Sequence, residues 1–434
     1  MIFMKKIFQS IAYTGLAVVL MTAGGCKKDF TNPTAATSAQ VLGSAKGLAG
    51  VAVGLQRTYT ANVGYGLSDA NGLITGETIL LNAGNTSEFQ LSTGGTAVDG
   101  TNALLGNVWS TASKVIYDAN NVIVGAASVS DKGYASGLIG YATIFKALSI
   151  GCQSEFWEKV PDTIGTTATV FIDRTQGYAR AIAAIDKALT TISANAISSS
   201  FLTDIPAGVD IVNTLYALKA RYSLFAGNYA AALTAANAVD LTKKSVFSFE
   251  AANPNPIYNS VASTNNVYQP VDSTLGLPAA IAPDLADKRI PFYTLINATI
   301  NPRFRLNGFW ITASTAIPVY FPGEITLIKA EAYARAATPD LVNGILELNK
   351  VVTKKAAADA LGIGADLPVV APATVAALLD QIYKNRCIEL FHSGLKLEDM
   401  RRFGRPNTER KRNLLPYPFR ERDGNSNTPA DPSF

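Results

Sequence analysis

Tyr178, Ala181, Ile182 and Ala188 recur at the same mutual spacing as Tyr229, Ala232, Leu233 and Val239. This repeat constrains the fold more than any other feature of the chain. Residues three, four and ten positions apart share one face of a helix, so each copy predicts a helix with a bulky residue near its start and small residues where another helix must approach. Gly227-Asn228 forms a turn signal before Tyr229, and the segment Val209 to Ala226 ahead of it has the same period, so the second copy reads as a helix pair. Apolar residues recur at three and four positions from Val41 to Tyr59, Asn102 to Ala127 and Tyr134 to Trp157 as well, then again from Glu324 to Ala336, Leu341 to Ala360 and Val375 to Phe391.

The spacing resembles tetratricopeptide repeats, although the copies lie 51 residues apart where an uninterrupted array has a period of about 34. Insertions therefore separate the units, and an Ala-rich helical bundle is the alternative reading. The expected fold class is mainly α, tetratricopeptide-like helix pairs with a large irregular, loop-rich insert. Two stretches lose the helical period. Asn62 to Gly100 is crowded with Gly, Asn, Ser and Thr and reads as loops and short turns. The insert, about 245–322, is dominated by Pro, Asn, Thr, Tyr and Phe. Irregular segments this long within a helical protein are candidate functional surfaces.

The N-terminus carries a different signal. Lys5 and Lys6 precede an apolar stretch of 13 residues from Ile11 to Ala23, and Ala23-Gly24-Gly25 then leads to Cys26. That apolar run is too short for a spanning helix, which needs about 20 residues, and it has the form of an export signal. Small residues directly before a Cys resemble the bacterial lipobox, with Ala23 where Leu is usual. The expected organisation is a signal peptide over 1–25, a lipidated Cys26 with a tether over 26–40, and a single helical domain over 41–434. An ordinary signal peptide with an incidental Cys is the alternative. Loss of Lys5 and Lys6 leaves 35 basic and 33 acidic residues, a nearly neutral mature chain. Cys152 and Cys387 sit among apolar neighbours and are expected to be buried and reduced.

Composition removes several classes of chemistry. The 434 residues include one histidine, His392, so no site needing two imidazoles is possible. A formal charge of +4 is too small to predict a nucleic-acid surface. The sequence has no phosphate-binding Gly-rich loop, no Gly-x-Ser-x-Gly elbow and no Cys-x-x-Cys pair. No cofactor and no metal are implied. The 11 Lys and Arg between Lys384 and Arg422 are interspersed with acids and read as a paired, solvated surface.

The run Asn385-Arg386-Cys387-Ile388-Glu389-Leu390-Phe391-His392-Ser393-Gly394, followed by Glu398-Asp399-Met400-Arg401-Arg402, resembles the C-terminal signature of the SusD/RagB family of outer-membrane nutrient-binding lipoproteins. Trp109, Tyr117 and Asn120-Asn121, Trp157 to Pro161, Asp287-Lys288-Arg289, Ala330-Glu331-Ala332, Leu348-Asn349, and Pro416, Pro418, Glu421 and Asn425 agree in order. Departures are Phe321-Pro322-Gly323-Glu324 where members carry Arg-x-Ala-Glu, His392-Ser393-Gly394 for an acidic-Gly pair, and a shortened ending at Asn427-Thr428-Pro429. On physical grounds Arg386, Glu389, Asp399 and Arg401, with Gly394 between them, form a structural ion-pair network between the terminal helices and take no part in catalysis. Trp109 and Trp157 are packing residues.

The resemblance implies a cell-surface, non-enzymatic protein that captures a glycan or other nutrient. It also implies a lipid anchor in the outer membrane, exposure to the cell exterior and delivery to a SusC-like TonB-dependent transporter. Binding by shape would use aromatic faces against sugar rings with polar side chains on the hydroxyls. The candidates are Trp310, Tyr320, Tyr268 and Phe89 for stacking, with Asn85 and Arg305 for polar contact. Two other readings stand beside this one: a tetratricopeptide-like scaffold for protein partners, and a surface glycosidase working through two facing carboxylates.

Overall fold

A computed structural model describes residues 38–166, 168–262 and 266–434. The signal peptide, Cys26 and most of the tether lie outside the described residues. The helices of seven or more residues are α1 (Ala45–Thr58), α2 (Tyr65–Ile74), α3 (Thr86–Thr93), α4 (Ala103–Gly125), α5 (Lys132–Phe156) and α6 (Arg174–Ala194). They continue with α7 (Ile211–Phe225), α8 (Tyr229–Asn237), α9 (Pro322–Ala334), α10 (Leu341–Val352), α11 (Val375–Glu389) and α12 (Lys396–Arg402). Many start where a short polar side chain takes up a free backbone N–H: Asn102 at Leu105, Asp131 at Tyr134, Asp210 at Asn213, Asn228 at Ala231 and Asp340 at Asn343.

Successive helices pack pairwise, α5 on α6, α7 on α8 and α9 on α10, with α7 also against α6 and α8 against α9. Tyr178, Ala181, Ala188 and Ala232 of the repeated pattern are buried within these packed helices, and Val239 is buried just beyond the end of α8. The tetratricopeptide-like arrangement is therefore present, and Leu42–Phe434 forms one compact unit. Helix α5 is long and apolar enough to cross a membrane, but it is spent as the central core helix, 89% buried over its most apolar window. Cys152 and Cys387 are both free and buried.

Two expectations need correction. The segment 62–100 is not mainly loop: α1 passes through a π-helical turn, Tyr59–Gly64, directly into α2, and α3 follows. Polar and glycine residues sit inside α2 because every residue from Gly66 to Ile74 is buried against distant chain. A Cβ at Gly66 would stand 2.3 Å from Val108 Cγ2, Ser68 Oγ donates to the His392 carbonyl at 2.6 Å, and Asn71 Nδ2 donates to Glu155 Oε1 at 2.7 Å and to the Gly394 carbonyl at 2.9 Å. The helix expected over 341–360 ends at Val352, beyond which the chain forms a 3-10 turn at Ala356–Ala358.

Among the described residues, sheet occurs only as two-stranded antiparallel pairs. β1 (Thr78–Leu80) pairs with β5 (Tyr268–Pro270), β2 (Lys159–Pro161) with β3 (Phe171–Asp173), β4 (Val246–Phe247) with β8 (Ile317–Pro318), and β6 (Thr294–Ile296) with β7 (Phe304–Leu306). The β4–β8 pair closes the insert, since Val246 faces Pro318 and Phe247 faces Ile317. The β1–β5 pair, with Leu80 opposite Tyr268, fastens the insert to the segment after α2. The two irregular stretches read in the sequence are thus one connected layer.

Candidate functional site

Three of the aromatics chosen for stacking do not face solvent. Trp310 is 2% exposed, Tyr320 1% and Tyr268 0%. Trp310 lies parallel to Tyr293, with centroids 5.9 Å apart and 27° between planes, and edge-on to His392 at 5.1 Å. Tyr268 lies 5.4 Å from the same imidazole. Trp310 and Tyr268 gather at His392, with Tyr293 on Trp310, in an aromatic seam by which the insert docks on the helical core, which is why they are buried. Phe89 on α3 is 49% exposed. Asn85, at the start of α3, is half-buried and donates to the Asn82 carbonyl at 3.2 Å. Arg305 sits opposite Leu295 in β7, half-buried, its two terminal nitrogens without a protein partner. The six candidates therefore do not form one surface.

A groove of about 460 Å³ does form where the two irregular stretches meet the C-terminal segment. One wall is the turn at Thr75-Gly76 after α2. A second is the insert from Val271 to Pro278, and the third comes from Tyr383, Lys396, Met400 and Thr408 to Lys411. Gly76 (φ +72°) and Gly276 (φ +73°) make the turns, and they touch: a Cβ on Gly276 would stand 2.0 Å from the Gly76 carbonyl oxygen. Lys411 N donates to the Ile74 carbonyl at 2.8 Å and Gly95 N to the Lys411 carbonyl at 3.0 Å, which pins the C-terminal wall to the end of α2 and to the turn after α3.

The groove is rich in donors. Lys396, 4% exposed, has one contact, Nζ to the Gly276 carbonyl at 3.4 Å. Arg410 bonds Asn407 through one terminal nitrogen, while Nε and the other terminal nitrogen have no partner. Burial lowers its pKa, and the nearby Arg401 charge lowers it further. The Tyr383 hydroxyl has no well-formed hydrogen bond, and burial first, then the Cys387 thiol beside it, raises its pKa far above that of a free phenol. Glu409, the one acid in the walls, is taken by both arms of Arg405.

Behind the groove lies a buried polar cluster. Glu77 is 1% exposed and its carboxyl is pushed up to about 7 by burial, an effect the Lys396 charge opposes. His392 is 1% exposed with both ring nitrogens unpartnered, and burial pushes its pKa down to about 3, so the ring is neutral. Thr78 Oγ1 and His392 Nδ1 both border Gly72. Asp69, fully buried beside Tyr65, is held well above the usual carboxylate range by burial and then by the Glu88 charge. Raised carboxyls and a neutral imidazole are what a low-dielectric interior imposes, and the Lys396 charge offsets only part of that effect at Glu77.

The C-terminal motif holds this assembly in place. Arg386 Nε meets Asp399 Oδ2 at 2.9 Å, Asp399 Oδ1 also takes Arg402 at 2.7 Å, and Glu389 takes Arg289 at 3.1 Å and Lys354 at 2.5 Å. Arg401 pairs with Glu398 at 2.8 Å and reaches the Glu155 carbonyl at 2.8 Å. Gly394 (φ +83°) turns the chain between α11 and α12. Gly323, in the departure from the family pattern, makes room for Glu389: a Cβ there would stand 1.9 Å from its Oε1. Trp109 and Trp157 meet edge to face at 4.7 Å, and their indole N–H groups donate to Glu421 and to the Pro416 carbonyl, both at 2.9 Å.

Lys396, Arg410, Lys411 and Tyr383 are the functional candidates that sequence reasoning missed. The density of Lys and Arg from 384 to 422 was their only signal. Five of those 11 cations, Arg386, Arg401, Arg402, Arg405 and Arg422, are ion-paired, and Arg386 is buried, so the expected paired, solvated surface is only partly present. Lys396, Arg410 and Lys411 are among the cations with no ion pair among the described residues. Nor do three His, Cys, Asp or Glu side chains converge on a metal position there.

Fold and site together define a tetratricopeptide-like helical protein whose loop-rich insert builds an open, polar groove. More specifically, the chain has the SusD-like fold. A SusD homolog from Bacteroides thetaiotaomicron superposes with a TM-score of 0.73 at 13% identity, covering 92% of this chain and 99% of that one. A SusD superfamily protein from Bacteroides fragilis gives 0.65 at 16%, covering 88% and 98%. A laminarin-binding SusD-like protein gives 0.61 at 14%, covering 90% and 99%. No family model matches the sequence, and no curated protein matches it. The resemblance read from the C-terminal motif is thus met by the architecture.

Proposed function

We propose that the protein is a glycan-binding protein of the SusD type, which captures its ligand at the insert and groove and does not cleave it. The observation that carries this reading is the near end-to-end likeness to SusD-like structures, one of them laminarin-binding, combined with an open donor-lined groove in the loop layer. The lipobox-like N-terminus supports anchoring at Cys26, and the SusD/RagB resemblance supports an outer-membrane position facing the exterior. Multi-chain acylation would give stable attachment at about 0.8 kcal/mol per buried methylene. Delivery to a SusC-like TonB-dependent transporter completes the proposal. Val342 and Leu346, one turn apart on α10 and 70% and 57% exposed, supply an apolar face for a protein contact of that kind.

Calorimetry against a glycan panel tests the binding. No heat with any polysaccharide overturns it, and chain shortening of a bound oligosaccharide overturns the non-enzymatic part. Cys26→Ser releases the protein from membranes if the anchor is correct. Persistent membrane attachment of that variant removes the lipoprotein assignment.

A further inference from the structure

We propose that the groove between Gly76, Gly276 and Arg410 seats an anionic substituent of the bound glycan, a uronate carboxylate or a sulfate ester, so that the ligand is an acidic polysaccharide. This rests on the glycan reading above for the scaffold and on the groove's own side chains for the charge.

Three cations, Lys396, Arg410 and Lys411, line the groove with one acid, Glu409. That acid is already committed to Arg405, at 2.8 Å through Nε and again through a terminal nitrogen. The three cations have no carboxylate within ion-pair distance among the described residues, and Lys396 is nine-tenths buried with a single 3.4 Å contact to a carbonyl. The Glu77 carboxyl behind the groove feels the Lys396 charge but makes no ion pair with it, and a buried ammonium compensated only at that distance gains Coulomb energy from an anion delivered to it in a medium of low dielectric. Arg410 adds a planar donor fork. Its position is fixed by its neighbour Lys411, whose backbone is tied to Ile74 and Gly95. The insert wall adds half-buried apolar side chains, Val271 and Pro278, that suit the C–H face of a pyranose ring. The volume of about 460 Å³ lies within the ~300–1,000 Å³ span of small-ligand sites. One charged donor cluster beside apolar side chains is the arrangement that distinguishes an acidic sugar from a neutral one and from a free inorganic anion.

The test is calorimetry of the full chain with oligogalacturonate and its neutral methyl ester, with a sulfated oligosaccharide and its desulfated form, and with inorganic sulfate and phosphate. The expected result is at least tenfold tighter binding of one acidic oligosaccharide than of its neutral partner, weakening as salt rises from about 50 to about 500 mM. Lys411→Glu, at an exposed position, should lose at least tenfold on the acidic ligand and distinctly less on any neutral glycan. Lys396→Met should do the same, provided its melting curve matches wild type. Equal affinity for acidic and neutral forms overturns the anion seat while the glycan reading stands. Binding of inorganic sulfate or phosphate without any acidic oligosaccharide overturns the assignment to a glycan substituent. Absence of binding by every anionic probe overturns the proposal outright.

Discussion

Arg289 Nη1 lies 3.1 Å from Glu389 Oε2, 100 positions apart in the chain, with both side chains fully buried. The pair locks the insert onto the C-terminal motif, because the same guanidinium also holds both oxygens of Asp287 at 3.0 and 2.7 Å and Asn385 Oδ1 at 2.9 Å. Arg289→Met leaves Asp287 without its cation and Glu389 with Lys354 alone. Breaking a buried pair from one side costs about 3–5 kcal/mol, so the urea midpoint of this variant should fall by that equivalent. A midpoint within about 1 kcal/mol of wild type would show that the pair does not hold the insert.

The two titratable groups behind the groove should tilt stability in opposite directions with pH. Unfolded His392 takes up a proton near 6.5, but the folded ring refuses it down to about 3. Its contribution is complete above 6.5 and drains away as pH falls between those values. Unfolded Glu77 loses its proton near 4.5, while the folded carboxyl keeps it to about 7. Its contribution is complete below 4.5 and drains as pH rises towards 7. Melting temperatures across pH should show His392→Asn gaining on wild type as pH falls. Asn tolerates the left-handed backbone there (φ +56°). Glu77→Gln should gain as pH rises, by up to about 3 kcal/mol at ~1.4 kcal/mol per unit. Parallel slopes in the two variants would refute the assignment.

Gly76 and Gly276 provide a controlled comparison of backbone strain with steric clash. Both have left-handed φ near +70°, so Ala at either position carries a strain of about 1–2 kcal/mol. A Cβ at Gly76 meets nothing within 4 Å, whereas one at Gly276 meets the Gly76 carbonyl oxygen at 2.0 Å and Glu77 Cα at 2.9 Å. Gly276→Ala should therefore be clearly less stable than Gly76→Ala in chemical denaturation. Equal midpoints would mean that the two turns are not in contact.

The long helices were legible because their evidence is local: Asn102, Asp131 and Asp210 cap what periodicity had already marked as α4, α5 and α7. Helix α2 was not, because Ser68, Asn71 and Gly72 answer to His392, Gly394 and Thr78 across more than 300 residues or across a turn, and such partners override local propensity. The same holds at the site. The insert's aromatic content is plain in its composition, but composition does not say which side of a folded layer a ring faces. The groove cations are separated in sequence from Gly76 and Gly276, and they converge only through the β1–β5 pairing and the Lys411 tie to Ile74.

Trp310 and Phe89 separate the two meanings of an aromatic in this layer. Trp310→Ala removes a ring packed against Tyr293, Phe309, Phe391 and His392, and should cost about 3–5 kcal/mol in urea denaturation. Phe89→Ala changes a half-exposed ring on α3 and should stay within about 0.5 kcal/mol of wild type. Binding should show the reverse. Helix α3 runs to Gly94, where a Cβ would stand 2.5 Å from Lys411 Cβ, so Phe89 belongs to the helix that ends on the groove. Its removal should weaken glycan affinity roughly tenfold, about 1.4 kcal/mol, while folded Trp310→Ala keeps wild-type affinity. A Trp310→Ala protein of unchanged stability that has lost its ligand would return Trp310 to the binding surface and would displace the packing role that its burial assigns.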